Sequence, residues 1–170
     1  MGLLHRLFMN RDKLRKIFGV GPRGAAVSLL LLALSAGVDR WLGHPVLANR
    51  AAFLRAIGLA LVLLGLGLHG WAFSTLRHWW KEDRLCTGGP FRYFRHPMYA
   101  AWITFVSFGA ALCLNSWVYV GWVFLLHPIW HRLVKQEETA MRERFGEVYG
   151  NYAWRTGRFL PRIELRRRSR

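Results

Sequence analysis

Residues 88–102 read GGPFRYFRHPMYAAW. Two glycines and a proline open the stretch, arginines and aromatics crowd its middle, and an apolar run follows Pro97. Proline lacks the N–H that a first helical turn leaves without a partner, so Pro97 suits the first position of a helix and His96 its cap. A helix entrance offers free N–H groups and the positive end of a dipole, both suited to an anion such as a carboxylate. Arg92 and Arg95 add charge there, and Phe91, Tyr93, Phe94 and Tyr99 add flat surfaces.

Downstream, residues 98–114 and 117–133 are two apolar segments parted by Asn115 and Ser116. The spacing predicts a tight helical hairpin, each arm near the lower length limit for crossing a bilayer. Pro128 is expected to kink the second arm or loosen its hydrogen bonding. From Lys135 the chain turns polar and helical in pattern, ending at Pro161 and a run of arginines. Upstream, residues 24–42 and 56–76 are two further apolar segments. The second contains GLGLHG, a formal match to a dinucleotide-binding pattern. No strand precedes it, so Gly65, Gly67 and Gly70 are read as permitting close helix packing. Residues 1–23 place Leu3, Leu7, Leu14 and Phe18 near one helical face, which suits an amphipathic segment lying on a membrane. No small-x-small cleavage site follows it, so a signal peptide is not the expected reading.

Composition agrees. The chain of 170 residues is 53% hydrophobic and 15% aromatic, yet carries a net charge of +16. A nucleic-acid binder can be this basic but seldom holds such leucine runs, and no reader motif is present. A membrane protein can be both apolar and basic. The expected fold is all-α and polytopic, one domain with about four transmembrane helices. It divides into a basic interfacial N-terminus (1–23), two membrane helices (24–76), a stretch holding the helical hairpin and the polar helical segment (85–161) and a basic tail (162–170). Arginines and lysines number six before the first segment, three between the first and second, five between the second and third, and eleven from Arg132 onward. The positive-inside rule then puts both termini and the 77–97 loop in the cytoplasm, with an inner membrane as the expected location. Arg166, Arg167, Arg168 and Arg170 read as a patch for anionic lipid headgroups. Cys86 and Cys113 form neither a disulfide framework nor a zinc site. His127 and His131 share a helix face, but seven scattered histidines are too few for a metal cluster of the membrane-oxygenase kind.

The tail supplies the opposite sign. Glu137 and Glu138 follow the fourth segment within QEETAMRERFGEVYGNY. On the topology above they share a membrane face with GGPFRYFRHP, where paired carboxylates could hold an ammonium or ribose hydroxyls. These residue types suit any amphoteric ligand bearing carboxylate, ammonium and ring.

GPFRYFRHPMY, the hairpin, EE, FGEVYGNY and a closing RTGRFLP together resemble the isoprenylcysteine carboxyl methyltransferase family, itself similar to the membrane phospholipid N-methyltransferases. The resemblance covers about Leu85 to Pro161. It implies a multi-spanning enzyme that binds S-adenosylmethionine without a Rossmann domain. Carried over, the cofactor-binding residues are Tyr93, Arg95, His96, Pro97, Tyr99, Glu137 and Glu138, and the residues at the methyl-transfer site are Arg155 and Arg158. Phe91 stands where the family usually has tyrosine, and Ala101 where glycine is common. The implied reaction is methyl transfer to a lipophilic acceptor entering from the bilayer, first of all a carboxylate, which needs no base. The alternatives are N-methylation of a phosphatidylethanolamine-type lipid, whose amine must first lose a proton, and a non-catalytic membrane interaction protein that keeps the fold.

Overall fold

The computed structural model describes residues 19–79 and 84–162. Most of the expected interfacial N-terminus and most of the arginine tail lie outside the described residues. Among those described, the chain is all-helical: α1 (Gly21–Trp41), α2 (Ala51–Trp79), α3 (Pro97–Leu114) and α4 (Trp117–Arg155), with a short 3-10 turn at Gly89–Arg92 before α3.

Pro97 is indeed the first residue of α3 and His96 its cap, although the His96 side chain makes no capping bond. One wide turn of the π type at Ala101–Val106 interrupts α3. Asn115 ends the helix in the left-handed conformation (φ 52°, ψ 40°), which asparagine tolerates well. Ser116 starts the next helix by accepting a hydrogen bond from the Val118 N–H at 3.3 Å. The two residues thus make the tight hairpin that the sequence predicts. Beyond the hairpin, the Asn115 amide clasps Ala48 through both its atoms, and Ser116 donates to the buried Asp39. This ties the α1–α2 connection to the turn.

α2 lies close along α3 because small residues meet there. A Cβ added at Gly58 would come within 2.5 Å of the Gly109 carbonyl oxygen, and one at Gly65 within 2.8 Å of a Val106 methyl. Such close approach lets backbones pack tightly in lipid. Gly67 and Gly70 have nothing within 4 Å of the same probe position, so of the GLGLHG glycines only Gly65 serves packing. Leu29, Leu30, Leu63 and Leu64 point outward and are more than half exposed. A surface of this kind needs hydrocarbon around it.

Among the described residues, three helices are long and apolar enough to cross a membrane: α1, α2 and α3. The first part of α4 falls short because His127, Pro128, His131 and Arg132 interrupt it. Pro128 does not break α4; helical dihedrals continue through it, and the break comes at Gly146 (φ 53°, ψ −129°). That conformation is open only to glycine. Gly146→Ala should therefore destabilise the fold by about 1–3 kcal/mol through backbone strain alone, since space around the Cβ is free. Unfolding of the purified variant in detergent at wild-type temperature would refute this.

Candidate functional site

The break at Gly146 turns the last stretch of α4 back toward the residues that precede α3. The Tyr152 hydroxyl donates to the carbonyls of Phe91 (2.8 Å) and Phe94 (3.3 Å). The segment after α4 then lies beside that same stretch. Arg95 N–H donates to Gly157 O (2.7 Å) and His96 N–H to Arg158 O (3.2 Å). The entrance to α3 is thus partly closed by the chain itself, and those two N–H groups are not open to an anion as the sequence reading expected.

Inside this enclosure the twin acids meet the histidine-proline turn. Glu138, only 6% exposed, accepts from Arg95 Nε (2.8 Å) and is gripped by Arg158 through Nε (2.9 and 3.0 Å) and Nη2 (2.5 Å). Glu137 accepts through Oε1 from the Tyr99 hydroxyl (2.9 Å) and from the Val20 N–H (2.6 Å). His96 lies between the two acids, with Nδ1 3.5 Å from Glu137 Oε2 and Nε2 3.5 Å from Glu138 Oε1. Its Nε2 is buried and has no hydrogen-bond partner. Its ring stacks on Tyr99 (centroids 5.7 Å apart, 11° between planes).

Arg95, His96, Tyr99, Glu137, Glu138 and Arg158 therefore come together, and Pro97 sets the helix that presents them. Two candidates do not join them: Tyr93 is about half exposed, and Arg155 is exposed at the end of α4. Two of the side chains that do meet are already engaged within the protein. Arg95 has little left for a ligand, because its guanidinium also donates to the carbonyls of Ala153 and Thr156 (2.5 Å each). It staples the end of α4 to the turn. Glu138 is committed to two arginines, so of the pair Glu137 keeps the freer oxygen, Oε2.

Sequence reasoning missed the far wall. Phe159, 1% exposed, is wedged among His96, His127 and His131, with ring centroids 6.1, 6.3 and 4.8 Å away. Arg158 Nη1 is 3.3 Å from His131 Nδ1. A guanidinium can only donate, so Nδ1 accepts and the imidazole proton belongs on Nε2. Trp130 packs on Tyr99 at 4.8 Å. A signal existed: positions 127, 131, 134 and 138 recur at helical spacing, so the two histidines share the face that carries Glu138.

Burial opposes ionisation of Glu138, but His96, Arg158 and Arg95 outweigh it and hold the carboxyl well below the usual carboxylate range. Burial and the Glu138 charge push the Tyr149 hydroxyl up to about 12. The sign for Glu138 follows from a depressed folded-state value. Its contribution is complete above the unfolded value, about pH 4.3, and is lost as pH falls below that toward the folded value. Wild-type stability should thus decline on acidification below about pH 4, and Glu138→Gln should lose part of that slope. Equal acid slopes in thermal unfolding would contradict it.

The phospholipid methyltransferase family profile matches residues 53–148. The chain belongs to that family. Among its relatives is a probable protein-S-isoprenylcysteine O-methyltransferase of Oryza sativa subsp. indica, 26% identical over 121 residues, covering 66% of this chain and 63% of the relative. A protein-S-isoprenylcysteine O-methyltransferase of Xenopus laevis is 27% identical over 145 residues, covering 79% of this chain and 50% of the relative. The nickel-cobalt-cadmium resistance protein NccN of Alcaligenes xylosoxydans xylosoxydans is 26% identical over 158 residues, covering 86% and 66%. The chain thus spans less than two thirds of the length of these curated relatives. The resemblance read from the R-H-P-x-Y element and the EE pair is borne out by them. Together with the three lipid-compatible helices, it makes the chain an integral membrane protein.

Proposed function

We propose that the chain is a methyltransferase that uses S-adenosylmethionine and methylates a lipophilic acceptor reaching the site from the bilayer. The observation that carries this reading is the buried, unpartnered Nε2 of His96 set between Glu137 and Glu138 at the entrance of α3. A buried polar atom without a partner costs free energy, and a bound ligand is one way to satisfy it. The residues present fit such a cofactor. His96, Tyr99 and Glu137 would hold it, Glu137 offering a carboxylate oxygen to an ammonium or hydroxyl and the rings a flat surface. Arg95, Glu138 and Pro97 would keep those three in place, and Tyr93 would lie at the rim. When bound, the cofactor supplies a methyl group already made electrophilic by its sulfonium.

The protein's share is alignment and exclusion of water. Arg158, with Nη1 not bound to Glu138, is the candidate to orient an anionic acceptor, and the exposed Arg155 could meet it on entry. A carboxylate of the isoprenylcysteine kind is the first candidate acceptor, supported by the relatives' names and by the absence of any need for a base. The family's description favours a second reading, N-methylation of a phospholipid amine. That reading needs a base for the amine proton, and His131 does not supply one, since its Nδ1 already accepts from Arg158 and its Nε2 carries the ring proton. Four transmembrane helices, with the first part of α4 as the last and residues 85–161 as the catalytic core, complete the reading. The arginine distribution supports cytoplasmic termini, an inner-membrane location and a basic tail on anionic headgroups.

The test is transfer of labelled methyl from S-adenosylmethionine by purified protein to a prenylcysteine analogue, to phosphatidylethanolamine and to a total lipid extract. Label in the first as a base-labile ester supports the carboxylate reading, and label in the second supports the amine reading. No transfer to any of the three, with cofactor bound, would contradict the proposed activity.

A further inference from the structure

The family match begins at residue 53, so α1 and the turn before it lie outside it. Yet that turn reaches the site. The Val20 N–H donates to Glu137 Oε1 at 2.6 Å, the same oxygen that accepts from Tyr99. Val20 is the cap of α1, so the Glu137 carboxylate rests at the positive end of that helix. Gly19 adopts a left-handed φ of 52°, and a Cβ there would overlap the Glu137 carboxylate. Further along α1, a Cβ at Gly24 would overlap the Trp130 ring. Ser28 accepts from the indole N–H groups of Trp130 (3.0 Å, through its hydroxyl) and Trp122 (3.2 Å, through its carbonyl).

We infer that Gly19 and Val20 are positioning residues: they fix Oε1 of Glu137 with a backbone donor so that Oε2 is turned toward His96 and the ligand. The inference rests on the cofactor reading above. Two hydrogen bonds to one oxygen leave the carboxylate a single rotation, and that rotation aims its other oxygen at the His96 ring, 3.5 Å away. A side chain at position 19 would push the carboxylate off the Val20 N–H. The first helix then belongs to the site itself and is not only a membrane anchor.

The experiment is calorimetry of S-adenosylhomocysteine binding to the full chain in detergent, for wild type, Gly19→Ala, Glu137→Gln and the double variant. Gly19→Ala should bind roughly fivefold more weakly or worse. If Gly19 acts through Glu137, adding Gly19→Ala to Glu137→Gln should weaken binding by no more than about twofold further. Gly37→Ala, where nothing lies within 4 Å of the new methyl, should bind as wild type. Wild-type affinity in Gly19→Ala, or a full multiplicative loss in the double variant, would overturn the inference while leaving the cofactor reading intact. Absence of binding by wild type would overturn the cofactor reading first and this inference with it. If Gly19→Ala does not fold, an ester in place of the peptide bond at residue 20 removes the Val20 N–H and adds no side chain, at the cost of a weaker Gly19 carbonyl acceptor. It should weaken binding roughly threefold or more, and unchanged binding there would equally overturn the inference.

Discussion

Glu138→Ala should cost about 3 kcal/mol of stability and abolish cofactor binding together with it. The carboxylate is buried, and it is the anion shared by Arg95 and Arg158. Removing it leaves two guanidiniums close together with no counter-charge. The figure sits at the lower end for a broken buried pair because the two arginine side chains keep 14% and 24% of their exposure, so water recovers part of the loss. The damage should spread along the chain. Arg95 also holds the carbonyls of Ala153 and Thr156, and the residue after Arg158 is the wedge Phe159. Glu138→Gln keeps size and one acceptor and should lose less. Unfolding in detergent is the measurement; a loss under about 1 kcal/mol would mean that the cluster is not what holds the tail segment.

His96→Ala should behave in the opposite way. The imidazole makes no close hydrogen bond from Nε2, and its contacts with both acids are long and therefore weak, at 3.5 Å. Its stability cost should therefore be that of a lost ring packed on Tyr99 and Phe159, about 1 kcal/mol. Cofactor affinity, by contrast, should fall at least ~10-fold, about 1.4 kcal/mol. The pair of variants separates holding the site together from holding the ligand. Wild-type affinity in a folded His96→Ala protein would remove His96 from the pocket.

The sequence made the helix entrance legible because proline at a first turn and asparagine-serine at a hairpin are local signals. Pro97, Asn115 and Ser116 each do what their chemistry implies. The meeting of Arg95, His96 and Tyr99 with Glu137 and Glu138 was legible only by joining topology to resemblance, since 38 to 43 residues part the bonded pairs. What stayed hidden depends on long-range geometry. Nothing local says that Arg95 should spend its donors on Ala153 and Thr156, or that Phe159 should enter among three histidines. Pro128 keeps helical dihedrals, and the break in α4 falls at Gly146, where only glycine can take φ 53° with ψ −129°. The part played by the first helix beyond its hydrophobicity was not legible, because backbone donors such as the Val20 N–H leave no mark in composition.

The central claim is that the histidine-proline turn and the twin acids form a cofactor pocket, and calorimetry tests it most directly. S-adenosylhomocysteine titrated into purified wild-type protein in detergent should bind at one site per chain, and the heat should be lost or sharply weakened in folded His96→Ala. No heat at millimolar ligand in the wild type, or an identical isotherm in that variant, would contradict the account.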